Sequence, residues 1–192
     1  MYAEDWKGRF VMKRQTILSA ALAASLVLSL SPLPARAQGS AQKITGPEFC
    51  SITPGMSYDE VLSIVGDQPD RVSDTSSADT MRMHCTWNNY DYSYAIVYFE
   101  DNRVTQIQET SLIRSEKDVT LSAYGQIASG MSYDTVRTIF GGDGALLSWR
   151  VNKNGDVIVS YRFEETGKDD SFCRITFTNG LVSDVMEKGL VD

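Results

Sequence analysis

The heptapeptide Gly-Met-Ser-Tyr-Asp-Glu-Val at residues 55–61 returns as Gly-Met-Ser-Tyr-Asp-Thr-Val at residues 130–136, 75 positions later. A match this long within one chain indicates an internal duplication. The glycine suits the left-handed backbone at the end of a helical turn, and the serine suits the N-cap of the next helix. Ser57 and Glu60 are spaced for a capping box, whereas the second copy has threonine in place of the glutamate. The phrase therefore predicts helix boundaries and no chemistry of its own.

The similarity continues on both sides of this phrase. After each serine, apolar residues recur at helical spacing until Gly66 or Gly141. The remaining matches pair residues 49–52 with 124–127, 86–87 with 148–149, and 99–104 with 177–182. We therefore predict two repeat units, at 38–110 and 121–192, joined by a charged linker at 111–120.

Runs of β-branched and aromatic residues predict strands in both units. Hairpin turns are predicted at Asp101-Asn102, Asn154-Gly155 and Asn179-Gly180. Residues 67–79 are polar and contain Pro69, so they predict a loop. The predicted strands cover residues 81–88, 92–99, 103–109, 145–152, 157–164, 172–178 and 181–187. Strands in hairpins with short helices predict an α+β fold, with one face of the antiparallel sheet packed on helices and the other open to solvent or to a partner.

Residues 1–37 have the pattern of an export signal. A basic start at Met12-Lys13-Arg14 precedes an apolar stretch at 17–30, and Ala35-Arg36-Ala37 resembles a cleavage site. The mature chain is then expected to begin at Gln38, and Met12 is an alternative start to Met1. The apolar run is shorter than a membrane-spanning helix requires. We expect a secreted protein, extracellular or periplasmic, with no stable membrane span after cleavage.

The predicted mature part is strongly acidic. The whole chain has 18 Lys and Arg and 25 Asp and Glu; residues 1–37 hold five of the basic and two of the acidic residues, which leaves 13 and 23, or a net charge of −10. Such a charge disfavours binding to nucleic acid or to anionic lipid. Proteins are therefore the class of partner that the charge favours.

The sequence offers little catalytic chemistry. His84 is the sole histidine, and no His-Glu-x-x-His, Gly-x-Ser-x-Gly or phosphate-loop motif is present. The glycine-rich stretch at 141–144 predicts a turn. The carboxylates at 164–165 and 169–170 lie in one loop without an EF-hand pattern, which favours a solvated loop over a Ca²⁺ site. We expect a protein that is not an enzyme and that has no metal and no cofactor.

Three cysteines occur in a chain that is predicted to be exported. Cys50 falls in the first predicted helix and Cys85 in the first predicted strand of the same unit. We predict a disulfide between these two, because export makes disulfides plausible. Cys173 is then left over, and we expect it to be a buried, inert thiol.

Aromatic residues crowd into thirteen positions of the first unit: Trp87, Tyr90, Tyr92, Tyr94, Tyr98 and Phe99. On a strand, Tyr92, Tyr94 and Tyr98 would share one face and Phe99 would lie on the other. Tyrosine and tryptophan dominate the energetics of protein interfaces, so this face is a candidate partner surface. The alternative, that these tyrosines merely cover the sheet, stays open.

The chain resembles the beta-lactamase inhibitory protein family of secreted bacterial proteins over residues 45–192. The resemblance rests on Phe49-x-x-Ile52-x-x-Gly55-Met56, Ile127-x-x-Gly130-Met131, His84-Cys85, Asp91-Tyr92-x-Tyr94-Ala95 and Phe177-Thr178-Asn179-Gly180. It implies a tandem duplication of a helix-loop-helix packed on antiparallel sheet, with the two sheets forming one concave surface that clamps a target enzyme.

The resemblance also implies roles for individual residues. Asp91 matches a hairpin aspartate that enters the target's active site in place of a substrate carboxylate. Tyr92 and Tyr94 match contact tyrosines, and His84 matches a contact histidine. The complete predicted partner-binding set is Asp91, Tyr92, Tyr94, His84, Trp87, Tyr90 and Lys168.

The second unit departs from the family pattern. Lys168 stands where the family inserts an aromatic side chain, and Thr176 and Lys188 replace tryptophans. The predicted function is that of a secreted, non-catalytic protein that binds a protein partner, either a class A beta-lactamase or another envelope protein. The alternative is a cell-envelope assembly module of the SmpA/BamE type, because that group also carries a Gly-Met-[Ser/Thr] helix turn.

Overall fold

The computed structural model describes residues 42–115, 118–165 and 171–192, which lie in one compact unit at residues 39–192. The first half contains α1 (Gly46–Ser51), α2 (Tyr58–Val65), β1 (Arg71–Asp74), β2 (Arg82–Asn88), β3 (Tyr94–Glu100) and β4 (Arg103–Thr110). The second half contains α3 (Leu121–Tyr124), α4 (Tyr133–Phe140), β5 (Ala145–Val151), β6 (Val157–Glu164), β7 (Phe172–Thr178) and β8 (Leu181–Lys188). The predicted export signal and residues 116–117 and 166–170 lie outside the described residues.

The helix boundaries follow the capping chemistry that the sequence indicates. Thr45 and Glu48 form a capping box at α1, and Ser57 and Glu60 form one at α2. At α4 the Ser132 side chain caps the helix without a glutamate partner. α2 and α4 end at Gly66 and Gly141, whose φ angles of 72° and 75° lie in the left-handed region that glycine adopts without a steric penalty. The predicted serine caps and the predicted helix ends at Gly66 and Gly141 are confirmed.

The eight strands form one sheet in the order β1 to β8, and every neighbouring pair is antiparallel. The predicted α+β class is confirmed. At the β3–β4 turn Asp101 and Asn102 both have positive φ, as do Asn179 and Gly180 at the β7–β8 turn, which suits two-residue hairpins.

Two strand predictions are wrong. Residues 67–79 were expected to form a loop, but Arg71–Asp74 form the edge strand β1, which pairs with residues 83–86. An edge strand carries polar residues and few buried ones, so it lacks the apolar alternation that identifies strands in a sequence. The second strand was expected to start at Tyr92, but β3 starts at Tyr94, because Tyr92 has a φ of 65° and belongs to the turn.

The two halves of the sheet meet where β4 pairs with β5. Only three residue pairs form this seam, and the central one joins Ile107 to Trp149. Both side chains are fully buried. The seam therefore combines backbone pairing with the burial of a large aromatic side chain.

One face of the sheet packs on the helices. A first core joins Phe49 and Ile52 of the α1 region and Val61 and Val65 of α2 to the buried side chains of β2, β3 and β4. A second core joins α4 to β6, β7 and β8. Tyr161 of β6 packs against both cores. The alternate residues of each strand point to the opposite face, which we call the open face.

Each Gly-Met of the repeated phrase is held by a strand in the same way. Gly55 N donates to the Val104 carbonyl oxygen at 2.8 Å, and Val104 N donates to the Met56 carbonyl oxygen at 2.8 Å. In the second half, Gly130 N donates to the Val182 carbonyl oxygen at 2.9 Å and Val182 N donates to the Met131 carbonyl oxygen at 2.8 Å. The match of residues 86–87 with 148–149 does not follow this correspondence, because Trp87 lies in β2, the second strand of its half, and Trp149 lies in β5, the first.

The predicted disulfide between Cys50 and Cys85 is wrong. Cys50 is exposed on α1, whereas Cys85 is fully buried in β2, and their sulfurs are not bonded. Spacing within one unit did not reveal that Cys50 is exposed in the folded chain. The predicted burial of Cys173 is confirmed. Burial raises the pKa of Cys85 to about 11 and that of Cys173 to about 12, so both thiols stay protonated at neutral pH.

Thiol titration with Ellman's reagent checks this correction. We expect one thiol, Cys50, to react quickly in the folded protein and all three to react after denaturation without reductant. A Cys50→Ser variant should lose the fast phase. A total of only one reactive thiol in the denatured protein would contradict this correction and support a disulfide between two of the three cysteines.

Glu109 is a buried carboxylate at the end of β4, 7% exposed. Its Oε2 accepts a hydrogen bond from Leu112 N at 2.6 Å, while its Oε1 has no hydrogen-bond partner among the described residues. Burial raises the pKa of Glu109 to about 7, against the lowering effect of the Leu112 and Ile113 backbone N–H groups. The carboxylate therefore opposes folding when it is ionised.

The stability of the protein should fall as the pH rises through 7. The folded-state pKa of Glu109 lies above its ordinary value of 4.5, so folding favours the protonated form, and the benefit is lost on ionisation. We expect a loss of about 2 kcal/mol in the free energy of unfolding between pH 5.5 and 8.5. Urea denaturation measures it, and Glu109→Gln should remove most of the difference. Asp79→Asn, at an exposed position, is the matched control and should leave the difference unchanged. Both variants retain His84, the sole histidine, so any contribution from it is common to both.

Candidate protein-binding surface

The turn between β2 and β3 presents the most exposed aromatic side chains of the described residues. Tyr90 is 87% exposed and Tyr92 is 90% exposed, and Asp91 lies between them on the surface. Tyr92 has a φ of 65°, a left-handed conformation that costs roughly 1–2 kcal/mol for a residue other than glycine. We call Tyr90, Asp91 and Tyr92 the tip. Neither the strained backbone nor the solvated tyrosines stabilise the folded state, so the tip is a candidate for function.

The tip is anchored by a buried asparagine. Asn89 is 7% exposed, and its Nδ2 donates to the Ile44 carbonyl oxygen and to Ser93 Oγ, both at 2.9 Å. Its Oδ1 accepts from Lys43 N at 2.7 Å and from Ile44 N at 3.2 Å. Asn89 N also donates to the Ser93 carbonyl oxygen at 2.8 Å, which closes the turn. The turn is therefore fixed to the segment that precedes α1.

Asp91 is held in one orientation by Ser93. Asp91 Oδ1 accepts from Ser93 N at 3.1 Å and from Ser93 Oγ at 2.6 Å. Hydrogen bonds from the Ser93 hydroxyl and backbone hold the pKa of Asp91 below its usual range. The tip thus carries a preorganised negative charge at neutral pH.

The open face of the first half carries further predicted residues. His84 and Tyr98 are cross-strand neighbours on β2 and β3, and their ring centroids lie 5.4 Å apart. Tyr94 lies on the same face at the end of β3 nearest the tip, and all three side chains are partly exposed. The predicted shared face of Tyr94 and Tyr98 is confirmed, whereas Tyr92 belongs to the tip.

Trp87 does not belong to this surface. It is fully buried in the first core, and its Nε1 donates to the Asp67 carbonyl oxygen at 2.9 Å. Its prediction as a partner contact is wrong, because residues of odd number on β2 face the helices. Lys168 lies outside the described residues.

Sequence reasoning missed two parts of this surface. The role of Asn89 could not be predicted, because three of its four side-chain hydrogen bonds are with Lys43 and Ile44, more than 40 positions away. The arginines of the open face in the second half, Arg150, Arg162 and Arg174, were also missed. The alternation of charged and apolar residues in the predicted strands at 145–152 and 172–178 was the available signal.

The described part of the chain contains neither a cluster of metal ligands nor a membrane-spanning helix. Within residues 42–115, 118–165 and 171–192, no group of three or more His, Cys, Asp or Glu side chains could hold a metal ion. No helix in these ranges is both long and apolar enough to cross a membrane.

Comparison with known proteins assigns the family. The sequence model of the beta-lactamase inhibitor (BLIP) family matches residues 45–163 of this chain. The fold is similar to the crystal structure of a Streptococcus mutans protein described as a candidate beta-lactamase inhibitor protein, with a TM-score of 0.59 and 18% sequence identity, covering 78% of this chain and 91% of that one. No curated protein sequence matches this chain.

The chain therefore belongs to the beta-lactamase inhibitor family. This membership confirms the resemblance inferred from the sequence. It makes the protein beta-lactamase inhibitor-like, a class whose members act by binding a protein partner.

Removal of the anchor should loosen the tip. Asn89→Ala deletes four hydrogen bonds, two of them to the buried backbone groups of Ile44, so we expect a loss of roughly 2–4 kcal/mol in the free energy of unfolding. Urea denaturation measures the loss. Asn88→Ala, at the exposed neighbouring position, is the control and should cost less than about 1 kcal/mol. Equal effects of the two variants would contradict the anchor role.

Proposed function

We propose that this protein is exported and inhibits a protein target, with a class A beta-lactamase as the first candidate, by inserting the tip into a cationic pocket of that target. The mature protein begins at Gln38 and comprises a tandem duplication of the helix-loop-helix and sheet unit, with a concave open face. The observation that carries the proposal is the tip: an ionised carboxylate held by Ser93 between two tyrosines that are almost fully exposed.

The geometry of Asp91 supports the proposed insertion. A pocket that binds the carboxylate of a substrate offers cationic and N–H donors, and Asp91 presents a carboxylate without needing to be ordered first. Tyr90 and Tyr92 flank it with large side chains that have few rotatable bonds. Such side chains supply contact area at a low entropic cost.

The rest of the proposed surface extends from the tip over the open face. Tyr94, His84 and Tyr98 continue it across β2 and β3. Lys168 remains in the proposed contact set. Family membership favours this function over an envelope assembly module of the SmpA/BamE type, since the match at residues 45–163 includes the tip, β1–β5 and nearly all of β6.

The decisive experiment is inhibition of a panel of class A beta-lactamases by residues 38–192 and by the Asp91→Ala variant. We expect sub-micromolar inhibition of at least one enzyme and a loss of roughly 30-fold or more in the variant, the effect of removing an interface hot spot. Thermal denaturation should show that the variant stays folded with a modest loss of stability, because Asp91 is exposed but accepts two hydrogen bonds from Ser93.

Asp79→Ala provides the control, since Asp79 is an exposed aspartate in the β1–β2 connection, at the other end of β2 from the tip. It should inhibit as the wild type does. Inhibition that survives Asp91→Ala would refute the role of the tip, and no inhibition at high micromolar concentration across the panel would refute a beta-lactamase target.

A further inference from the structure

We propose that the open face of β5–β8 is a second contact region, one that binds carboxylates on an acidic protein surface through Arg150 and Arg174. The proposal rests on the proposed function, because it names the chemistry of a partner that docks on the open face. Neither arginine is in the partner-binding set that the sequence predicts.

Some arginines of the chain are neutralised by carboxylates within the fold. Four of the eight described arginines have carboxylate partners, among them Arg82 with Glu100 at 3.3 Å and Arg137 with Asp143 at 3.4 Å. Arg71 and Arg103, in the first half, form no ion pair with the described residues. Acidic residues outnumber basic ones, 25 to 18, so partners are plentiful. Arg150 and Arg174 nevertheless form no ion pair with any of the described residues.

The register places both arginines on the open face. Arg150 follows the buried Trp149, and Arg174 lies between the buried Cys173 and Ile175. Side chains alternate between faces along a strand, so both arginines point away from the cores. Arg150 is exposed and Arg174 is partly exposed, which leaves their guanidinium groups accessible.

Arg174 is also paired unfavourably within the sheet. It stands directly opposite Arg162 on β6, and like charges at such positions are destabilising. Arg162 is compensated, because its Nε lies 3.2 Å from Glu164 Oε1 and its guanidinium carbon lies 4.3 Å from the centre of the Phe172 ring. Arg174 has no ion pair or ring stacking contact among the described residues, although Asp184 is paired with Thr176, two residues along the strand. An anion from a partner would supply the missing compensation.

The surface between Arg150 and Arg174 carries hydroxyl groups. Ser160 and Thr176 lie opposite each other there, with their hydroxyl oxygens 3.1 Å apart. Arg150 is aligned with Ile158 on β6, two residues before Ser160, while Arg174 is two residues before Thr176 on β7. Strand spacing and rise place the two arginine Cα atoms roughly 16 Å apart. A partner segment with two or more carboxylates can reach both.

Arginine suits this role because its planar fork donates two parallel hydrogen bonds to a carboxylate. A protein surface is the favoured source of the carboxylates. The net charge of −10 on the predicted mature part opposes long polyanions such as nucleic acid. A local acidic patch on a folded protein would contact only the open face around Arg150, Ser160, Arg174 and Thr176, which we call the strip.

The test uses an acidic probe, so that it does not depend on the identity of the target. Acetyl-hexaglutamate amide is titrated into ¹⁵N-labelled protein at low salt, with acetyl-hexaglutamine amide as the uncharged control. We expect saturable shift changes at residues 150, 160, 174 and 176 with the acidic peptide only. Arg150→Gln and Arg174→Gln should each weaken binding about tenfold or more, the worth of a hydrogen bond to a charged group.

Matched variants separate this proposal from general electrostatics and from the tip. Lys153→Gln removes one exposed positive charge from the β5–β6 turn and should leave binding within about twofold of the wild type. Asp91→Ala should also leave peptide binding unchanged. No shift changes on the strip, or equal losses in Lys153→Gln and Arg174→Gln, would overturn the proposal.

The outcomes for the two proposals differ. Peptide binding at the strip without inhibition of any beta-lactamase would keep the acidic contact and remove the proposed target. Inhibition that depends on Asp91, together with no peptide binding, would keep the proposed function and remove the acidic contact.

Discussion

The pairing of β4 with β5 is the constraint on which the rest of the structure depends. Three residue pairs centred on Ile107 and Trp149 join two four-stranded halves into one sheet. Because both side chains are fully buried, a shift of one residue would move Trp149 to the open face and expose it. The seam thereby fixes which residues of β5 and β6 face the helices and lets Tyr161 pack against both cores. The continuity of the open face follows from the same register.

Local patterns predicted the parts of the fold that depend on neighbouring residues. Serine caps, terminal glycines and two-residue turns set φ angles within a few positions, so Ser57, Gly66 and Asn179-Gly180 could be placed from the sequence. Seven strands were placed because β-branched and aromatic runs are intrinsic to those segments. The edge strand β1 was missed, since its pairing with β2 comes from the sheet and not from its own residues.

The site was predicted less completely, because exposure depends on tertiary packing. Trp87 and Tyr90 are three positions apart and chemically similar, yet one is fully buried and the other is 87% exposed. The difference arises because the chain leaves β2 after Asn88 and turns at Asn89. The disulfide failed for the same reason, as the sequence shows that Cys50 is on a helix but not which side of the helix is covered.

Strain and anchoring at the tip are best understood together. Tyr92 holds a costly φ of 65°, and the Asn89 bonds to residues 43–44 stabilise the turn that imposes it. Both Ser93 hydrogen bonds end on Oδ1 of Asp91. A carboxylate accepts through two oxygens, so Asp91 can be held in place through one and can bind a partner's cation through the other. A partner would then meet a charge that is already oriented, and the ordering cost is met in folding rather than in binding.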